Sequence, residues 1–323
     1  MAVSIYSALP AGYPCPITTR GESRQCPGAA AAAQGRSHLF RKGKPMKKIT
    51  IPAFRDRKKD GRKVTMITVY DHIFARLVEA SEAEMILVGD SLGMIVQGLP
   101  LTNPVTIEEI IYHTKCVRRG APETLVVGDM PFMSYQVSPE QALASAGRIV
   151  KEGGADCVKL EGGIHVAPSV QKITRAGIPV VGHIGLTPQS SSALGGFKVQ
   201  GKTREEAEQL IADARALDEA GVFAIVLECI PSGVAKVITE SIRATTIGVG
   251  AGPYVDGHNL NAYDLLGLFG DFVPRFARQY KKMAAECIEV FNAFTREARS
   301  GHYPTKEEAY GGGPEIEKFY PLP

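Results

Sequence analysis

Residues 85–98 read MILVGDSLGMIVQG. Met85 to Val88 is a continuous apolar run, too short for a buried helix and stopped by a glycine, which is the pattern of a strand covered on both faces. It gives way at once to Gly89-Asp90-Ser91 and then to a second apolar stretch, with no solvated turn between. A carboxylate and a hydroxyl in that place suit a helix cap. They suit equally a reactive site at the end of a core strand, and the way the other strands end decides between the two.

The unit recurs along the chain. Short β-branched runs occur at KVTMITVYD (63–71), TLVVGDMP (124–131), CVKLEG (157–162), PVVGHIG (179–185), AIVLECI (224–230) and TTIGVGAG (245–252), with a weaker one at LLGLFGD (265–271). Amphipathic stretches separate them, among them TIEEIIYHTKCVRRG (106–120), SPEQALASAGRIVKEGG (138–154) and TREEAEQLIADARALDEAG (203–221), and KKMAAECIEVFNAFTREARSG (281–301) follows the last. Thr106 with Glu109, and Ser138 with Gln141, make capping-box patterns. Gly120, Gly177, Gly221 and Gly301 stand where left-handed helix caps are expected. Continuous apolar strands alternating with helices imply a parallel sheet covered on its outer face. Eight such units in ~250 residues imply an α/β fold of the (β/α)8 TIM-barrel type. A doubly wound open sheet is the alternative, but no GxGxxG follows the first strand.

The barrel is expected to fill residues 46–310 as a single catalytic domain. Residues 1–45 are punctuated by Pro and Gly, carry an alanine tract and show no helical or strand period. They read as a disordered extension preceding a start at Met46, or as an organellar transit peptide, although Pro10, Pro14, Pro16 and Pro27 would break a targeting helix. The choice sets the expected location, cytoplasmic for the first and mitochondrial for the second. Residues 311–323, GGGPEIEKFYPLP, read as a flexible tail. The net charge of +3 hides an asymmetry: residues 1–45 hold six basic residues and one acid, a net +5, so the remainder is net −2. No basic stripe marks it, which argues against a nucleic-acid partner. No apolar run approaches the ~18 residues of a membrane span. Six scattered cysteines without CxxC or metal-ligand spacing fit a reducing compartment.

The polar residues collect where the strands end. Strand 2 delivers Asp90 and Ser91, strand 3 Asp129, strand 4 Lys159 and Glu161, strand 5 His183, and strand 6 Glu228. In a barrel those carboxyl ends form one rim, where such enzymes keep their chemistry. Cys157, Lys159 and Glu161 share a face by the two-residue period, taken as the barrel interior. Three carboxylates meeting at one mouth repel and raise one another's pKa unless a cation joins them. Hard oxygen ligands without cysteine suggest Mg²⁺, with water and substrate completing the shell. The alternative is an ion-pair network around Lys159 with no metal. Lys159 and Ser91 suit a substrate carboxylate, and Glu228, set among apolar neighbours, suits a general base. His183 is either a satisfied core residue or a substrate contact. Together these point to Mg²⁺-assisted enolisation of a small keto acid, followed by making or breaking a carbon–carbon bond. GVGAG (248–252) is read as close backbone packing in preference to a phosphate cradle, and Cys229 is not taken as a nucleophile.

Several blocks carry a resemblance: TVYD (68–71), LVGDSLGMIVQG (87–98), YHTKCVRRGAP (112–122), DMPFMSY (129–135), VKLEGG (158–163), GHIGLTPQS (182–190), GGFKVQG (195–201), LECIP (227–231) and GVGAG. From about residue 62 to 304 the chain resembles the ketopantoate hydroxymethyltransferases, which are similar to barrels acting on phosphoenolpyruvate and pyruvate. The resemblance implies transfer of a hydroxymethyl group from 5,10-methylenetetrahydrofolate to 3-methyl-2-oxobutanoate, giving 2-dehydropantoate on the way to pantothenate. It implies Mg²⁺ on Asp90 and Asp129 with Glu161 reached through water, the keto acid carboxylate on Ser91 and Lys159, proton removal at C3 by Glu228, and a supporting role for His183. It also implies a homo-oligomer, decameric in bacterial relatives. GGFKVQG is a candidate lid on the folate side. One departure is PYVDGHNLNAYD (253–264), where His258 and Asn261 replace the family's usual Gln and Val. It puts the connection from strand 7 to strand 8, and an oligomer contact, in question. Related lyases use a reactive-cysteine loop that is missing here.

Overall fold

A computed structural model describes residues 49–269, 273–311 and 313–320. The expected extension, residues 1–45, and the proposed start at Met46 lie outside them. Eight parallel strands close in sequence order: β1 (Val64–Thr68), β2 (Met85–Val88), β3 (Leu125–Asp129), β4 (Cys157–Glu161), β5 (Val180–Gly185), β6 (Ala224–Glu228), β7 (Thr245–Val249) and β8 (Gly257–Asn261). Pairing of β8 with β1, from Val64 opposite Gly257 to Thr68 opposite Asn261, completes the cylinder and rules out the open doubly wound sheet.

The alternation rule places the side chains. Met66, Met85, Leu87, Leu125, Val127, Cys157, Val181, Val226 and Ile247 form one buried cluster inside the barrel. Ile86, Val88 and Val126, one register step away, pack outward against helix residues Ala75, Val78 and Val117. A helix at Ile51–Lys59 lies across the amino-terminal end. Its Phe54, fully buried, meets Phe223 edge-on with ring centroids 5.2 Å apart. Lys58 beside it bonds the carbonyls of Thr239 and Ala244 and the carboxylate of Asp256. That end is therefore plugged, and the carboxyl ends of the strands form the open one.

Two local readings are corrected. The weak strand at 265–271 is not one: Ala262–Leu266 is helical, Gly267 ends that helix with φ +65°, and 270–272 lie outside the described residues. The eighth strand is GHNLN, within the segment that departs from the family pattern. Asn261 closes it and caps the following helix by accepting from the Tyr263 amide at 3.1 Å. Gly120 is not a left-handed cap but the last residue of its helix. A Cβ there would stand 2.4 Å from the His72 carbonyl oxygen, so glycine is required by close packing of two helices. Gly177, Gly221 and Gly301 do take positive φ, as expected. GVGAG packs closely: Cβ atoms at Gly250 and Gly252 would meet Phe276 and Ser232. In the expected tail Gly313–Phe319 is helical. Among the described residues no helix is long and apolar enough to cross a membrane.

Candidate active site

The register of the barrel sets neighbouring polar groups side by side. Asp129 pairs with Lys159 across β3 and β4, and Glu161 with His183 across β4 and β5. Asp90, Asp129, Lys159, Glu161 and His183 are all buried, and Glu228 is partly open. The sequence-predicted residues thus meet at one mouth. Lys159 Nζ lies 2.8 Å from Asp129 Oδ1 and 3.8 Å from Glu161 Oε1. The His183 ring spans the gap to β6, with Nδ1 3.4 Å from Glu161 Oε1 and Nε2 3.2 Å from Glu228 Oε2. Ser91 sits at the edge of the group, its Oγ 2.8 Å from the Tyr70 hydroxyl, which accepts from Asn261. Gly89 is needed there, because a Cβ would come within 2.9 Å of Ser91 Oγ.

The electrostatics follow from packing two cations among the carboxylates with little water. Burial, then the charges of Asp129 and Glu161, push the Asp90 carboxyl up to about 8, against the pull of Lys159 and Gln189. Burial raises Asp129 as well, opposed first by Lys159. Burial would also raise Glu161, but the hydrogen bond and charge of His183, then Lys159, hold it below the usual range. Burial opposes the charge on Lys159, yet Asp129, Glu161 and Asp90 outweigh it and keep the ammonium above its ordinary pKa. Burial and Lys159 likewise oppose a charged His183, and hydrogen bonds to Glu161 and Glu228 overcome them, raising it to about 9. The imidazole is therefore a cation at neutral pH, poised between two carboxylates.

Asp129 Oδ1 and Glu161 Oε1 are buried without an aligned hydrogen bond; Lys159 approaches the first closely but off its bonding direction. Both are hard anionic oxygens facing Lys159 and His183, of the kind that a hard cation also takes. Among the described residues no three His, Cys, Asp or Glu groups are gathered tightly enough to hold an ion alone. Two carboxylates of this kind suit Mg²⁺, which keeps much of its hydration and so needs few protein ligands. The residues present therefore fit the ion, while the Lys159 network also exists.

Three features of the mouth were not legible in the sequence. Gln189, in the turn after β5, donates from Nε2 to Asp90 Oδ2 at 2.9 Å. Tyr135 donates to Gln189 Oε1 at 2.7 Å and accepts from the Glu161 amide at 3.1 Å. Cys229, directly after Glu228, takes φ +49°, a strained turn for a non-glycine residue. Its thiol is pushed up to about 12 by burial and then by Glu228. Gln189 and Tyr135 lie in the quoted blocks GHIGLTPQS and DMPFMSY, and that membership was the available signal. The 195–201 segment is tied to the same strand end, the Gln200 amide donating to the Cys229 carbonyl at 2.9 Å. Phe197 and Val199 on it are exposed. A cavity of about 470 Å³ lies at the opposite end of the barrel, lined by Arg55, Lys59, Ile178 and Phe223 among others. It holds none of these groups, so the chemistry rather than the cavity marks the site.

Fold and rim together define a barrel enzyme with a polar carboxyl-end site. Among solved structures, that of phosphonopyruvate hydrolase is similar in fold, with a TM-score of 0.54 at 13% identity over 85% of this chain and 95% of that one. The sequence profile described as ketopantoate hydroxymethyltransferase matches residues 48–306. A protein of Heliobacterium modesticaldum named 3-methyl-2-oxobutanoate hydroxymethyltransferase is 53% identical over 85% of this chain and 99% of its own length. One of the same name from Thermus thermophilus is 48% identical over 81% of this chain and 99% of its own. The chain belongs to the ketopantoate hydroxymethyltransferase family and is an enzyme, a one-carbon transferase.

Proposed function

We propose that the enzyme transfers a hydroxymethyl group from 5,10-methylenetetrahydrofolate to 3-methyl-2-oxobutanoate, giving 2-dehydropantoate. The observation that carries this reading is the convergence of Asp90, Asp129, Lys159, Glu161, His183 and Glu228 on one rim, with His183 Nε2 3.2 Å from Glu228 Oε2. Asp90 and Asp129 would hold Mg²⁺, with Glu161 reached through water. Bound there, the ion would supply Lewis-acid chemistry, making the C3 proton next to the 2-oxo group more acidic.

The remaining steps belong to the chain. Lys159 and Ser91 fix the keto acid carboxylate, one by charge and one by its hydroxyl and amide. Glu228, the least buried carboxylate of the group, takes the proton from C3. The carbanion then bonds to the methylene carbon, both C–N bonds holding that carbon to the folate break, and water supplies the hydroxyl oxygen. Of the two water protons and the C3 proton, one remains on the hydroxyl and two go to the folate nitrogens, so that tetrahydrofolate leaves. Glu228 passes the C3 proton into that exchange, and His183 beside it supports the substrate and the hydroxyl product. Phe197 and Val199 would cover the folate side. Both relatives named above are bacterial, which supports a cytoplasmic enzyme. The helix Met283–Ser300 buries none of its side chains and displays Ile288, Phe291 and Phe294, a face that a homo-oligomer, decameric by resemblance, would cover.

The direct test incubates purified protein with 3-methyl-2-oxobutanoate and methylenetetrahydrofolate, with and without Mg²⁺, and follows 2-dehydropantoate. Deuterium exchange at C3 without folate isolates the first step. Mg²⁺-dependent exchange and product are expected; product formation indifferent to Mg²⁺ removal would take the ion out of the scheme.

A further inference from the structure

Gln189 is 4% exposed and lies in a short turn, Pro188–Ser190, beyond the end of β5. Every polar atom it has is engaged. Its amide N–H donates to Glu161 Oε2 at 3.1 Å, and its carbonyl accepts from Asn103 Nδ2 at 2.9 Å. Nε2 donates to Asp90 Oδ2 at 2.9 Å and to the Met130 carbonyl at 3.0 Å. Oε1 accepts from the Tyr135 hydroxyl at 2.7 Å and from Gln136 Nε2 at 3.2 Å. The side-chain amide cannot be turned round, because its nitrogen faces two acceptors and its oxygen two donors. One residue thus straps the ends of β2, β3 and β4 together from the far side of β5.

The carboxylates show a common arrangement. One oxygen of each is held by a protein N–H: Asp90 Oδ2 and Glu161 Oε2 by Gln189, and Asp129 Oδ2 by the Asp90 amide at 3.1 Å. The oxygens left over on Asp129 and Glu161 are buried without an aligned hydrogen bond and face Lys159 and His183. From this we propose that Gln189 is the positioning residue of the cation site: by pinning one oxygen of Asp90 and one of Glu161, it makes each carboxylate present a single oxygen to the ion and its waters. The inference rests on the cation reading above and deepens it, because it bears on which ion the site prefers. Mg²⁺ demands near-octahedral single-oxygen ligation, whereas Ca²⁺ accepts bidentate carboxylates and a larger, looser shell. A site whose carboxylates cannot turn to offer both oxygens disfavours Ca²⁺. Gln189 is thereby a determinant of Mg²⁺ over Ca²⁺.

The test is calorimetric titration of the full chain with Mg²⁺ and, separately, with Ca²⁺, for the unaltered protein and for Gln189→Met. Methionine keeps the volume and the main-chain bond to Glu161 but removes both side-chain donors. Mg²⁺ affinity is expected to fall about 10- to 100-fold, the usual loss when a group orienting a metal ligand is removed. Ca²⁺ affinity should change much less, so that the preference for Mg²⁺ narrows by at least about fivefold. A general loosening of the mouth would lower both affinities alike, and that result, or Mg²⁺ affinity within about twofold of the unaltered protein, overturns the proposal. Tyr135→Phe guards against a variant that does not fold. It removes one of the two donors to Gln189 Oε1 together with the acceptor of the Glu161 amide, leaves the Nε2 contacts in place, and should narrow the preference in the same direction by about two- to fivefold. An unchanged preference in that variant counts against the proposal. Unaltered protein that binds neither ion defeats the cation reading itself, whereas binding by the unaltered protein with unchanged variants defeats only the role of Gln189.

Discussion

Mg²⁺ binding should expel a proton from Asp90. Its carboxyl sits at about 8 in the metal-free protein because burial and the charges of Asp129 and Glu161 disfavour a further anion. The ion needs the carboxylate, so proton and metal compete for the same group. With that pKa about ten in eleven Asp90 side chains are protonated at pH 7, and each ion bound should release about 0.9 proton. The competition also sets the pH dependence of affinity. Relative to the fully ionised site, apparent affinity should be lower by about 100-fold at pH 6 and about twofold at pH 8, a rise of about fifty-fold across that range. Calorimetry at pH 7 in two buffers of different ionisation enthalpy reads the proton count, and titrations at pH 6, 7 and 8 read the slope. Release of less than about 0.3 proton at pH 7, with affinity varying less than about threefold, would show that Asp90 is already ionised or is not a ligand. Asp90→Asn should then serve as the control, abolishing both the release and the pH slope.

The same shifts fix how the metal-free protein responds to pH. Asp90 has a folded pKa of about 8, above the ~3.9 of an unfolded chain, so its contribution to stability is complete below pH ~4 and lost as pH rises through 8. His183, at about 9 against ~6.5 unfolded, contributes fully below pH ~6.5 and loses that contribution through 9. Both act in one direction: melting temperature with a chelator present should fall between pH 7 and 10, and a flat or rising curve would contradict the site electrostatics. Glu228→Gln should still bind the keto acid but slow C3 deuterium exchange by about 10²- to 10⁴-fold without folate, and near-normal exchange would move the base elsewhere. Gly185→Ala places a Cβ 2.2 Å from the Glu228 carbonyl oxygen at φ +95°, so it should destabilise the fold by about 1–3 kcal/mol or more and misplace the base. Chemical denaturation and the exchange assay read the two effects, and an alanine variant equal to the parent in both would refute the packing argument. Phe54→Ala, removing the buried plug of the amino-terminal end, should cost about 3–5 kcal/mol in chemical denaturation while leaving the exchange chemistry of the folded protein intact.

What the sequence disclosed depended on how much of each signal was local. Seven strands were legible because each is a short apolar run ended by a charged residue, a glycine or a turn. GHNLN was not, because it has one apolar side chain and alternates with polar ones, while the leucines of 265–269 nearby imitate a buried strand. The barrel requires so little of β8 because its ladder partners supply the packing: Asn259 accepts from Thr68 at 3.1 Å, and Asn261 reaches Tyr70, making hydrogen bonds where other strands bury aliphatic carbon. The segment that departs from the family pattern therefore reaches the site edge, through Asn261, Tyr70 and Ser91 in turn.

The charged groups of the rim were readable for a related reason, and the residues proposed to orient them were not. A carboxylate at the end of an apolar strand is conspicuous in one dimension, since the apolar run itself makes the charge costly. An uncharged amide in a turn is not, and nothing near Gln189 in the chain tells that it lies against Asp90, 99 positions away. Its bonds join β2, β3 and β4 only after β5 has been laid beside them. Yet they decide which oxygen of each carboxylate is free. The identity of the charged groups is written strand by strand, but their orientation is a property of the closed cylinder, enforced by neutral side chains whose sequence neighbours carry no trace of the contact.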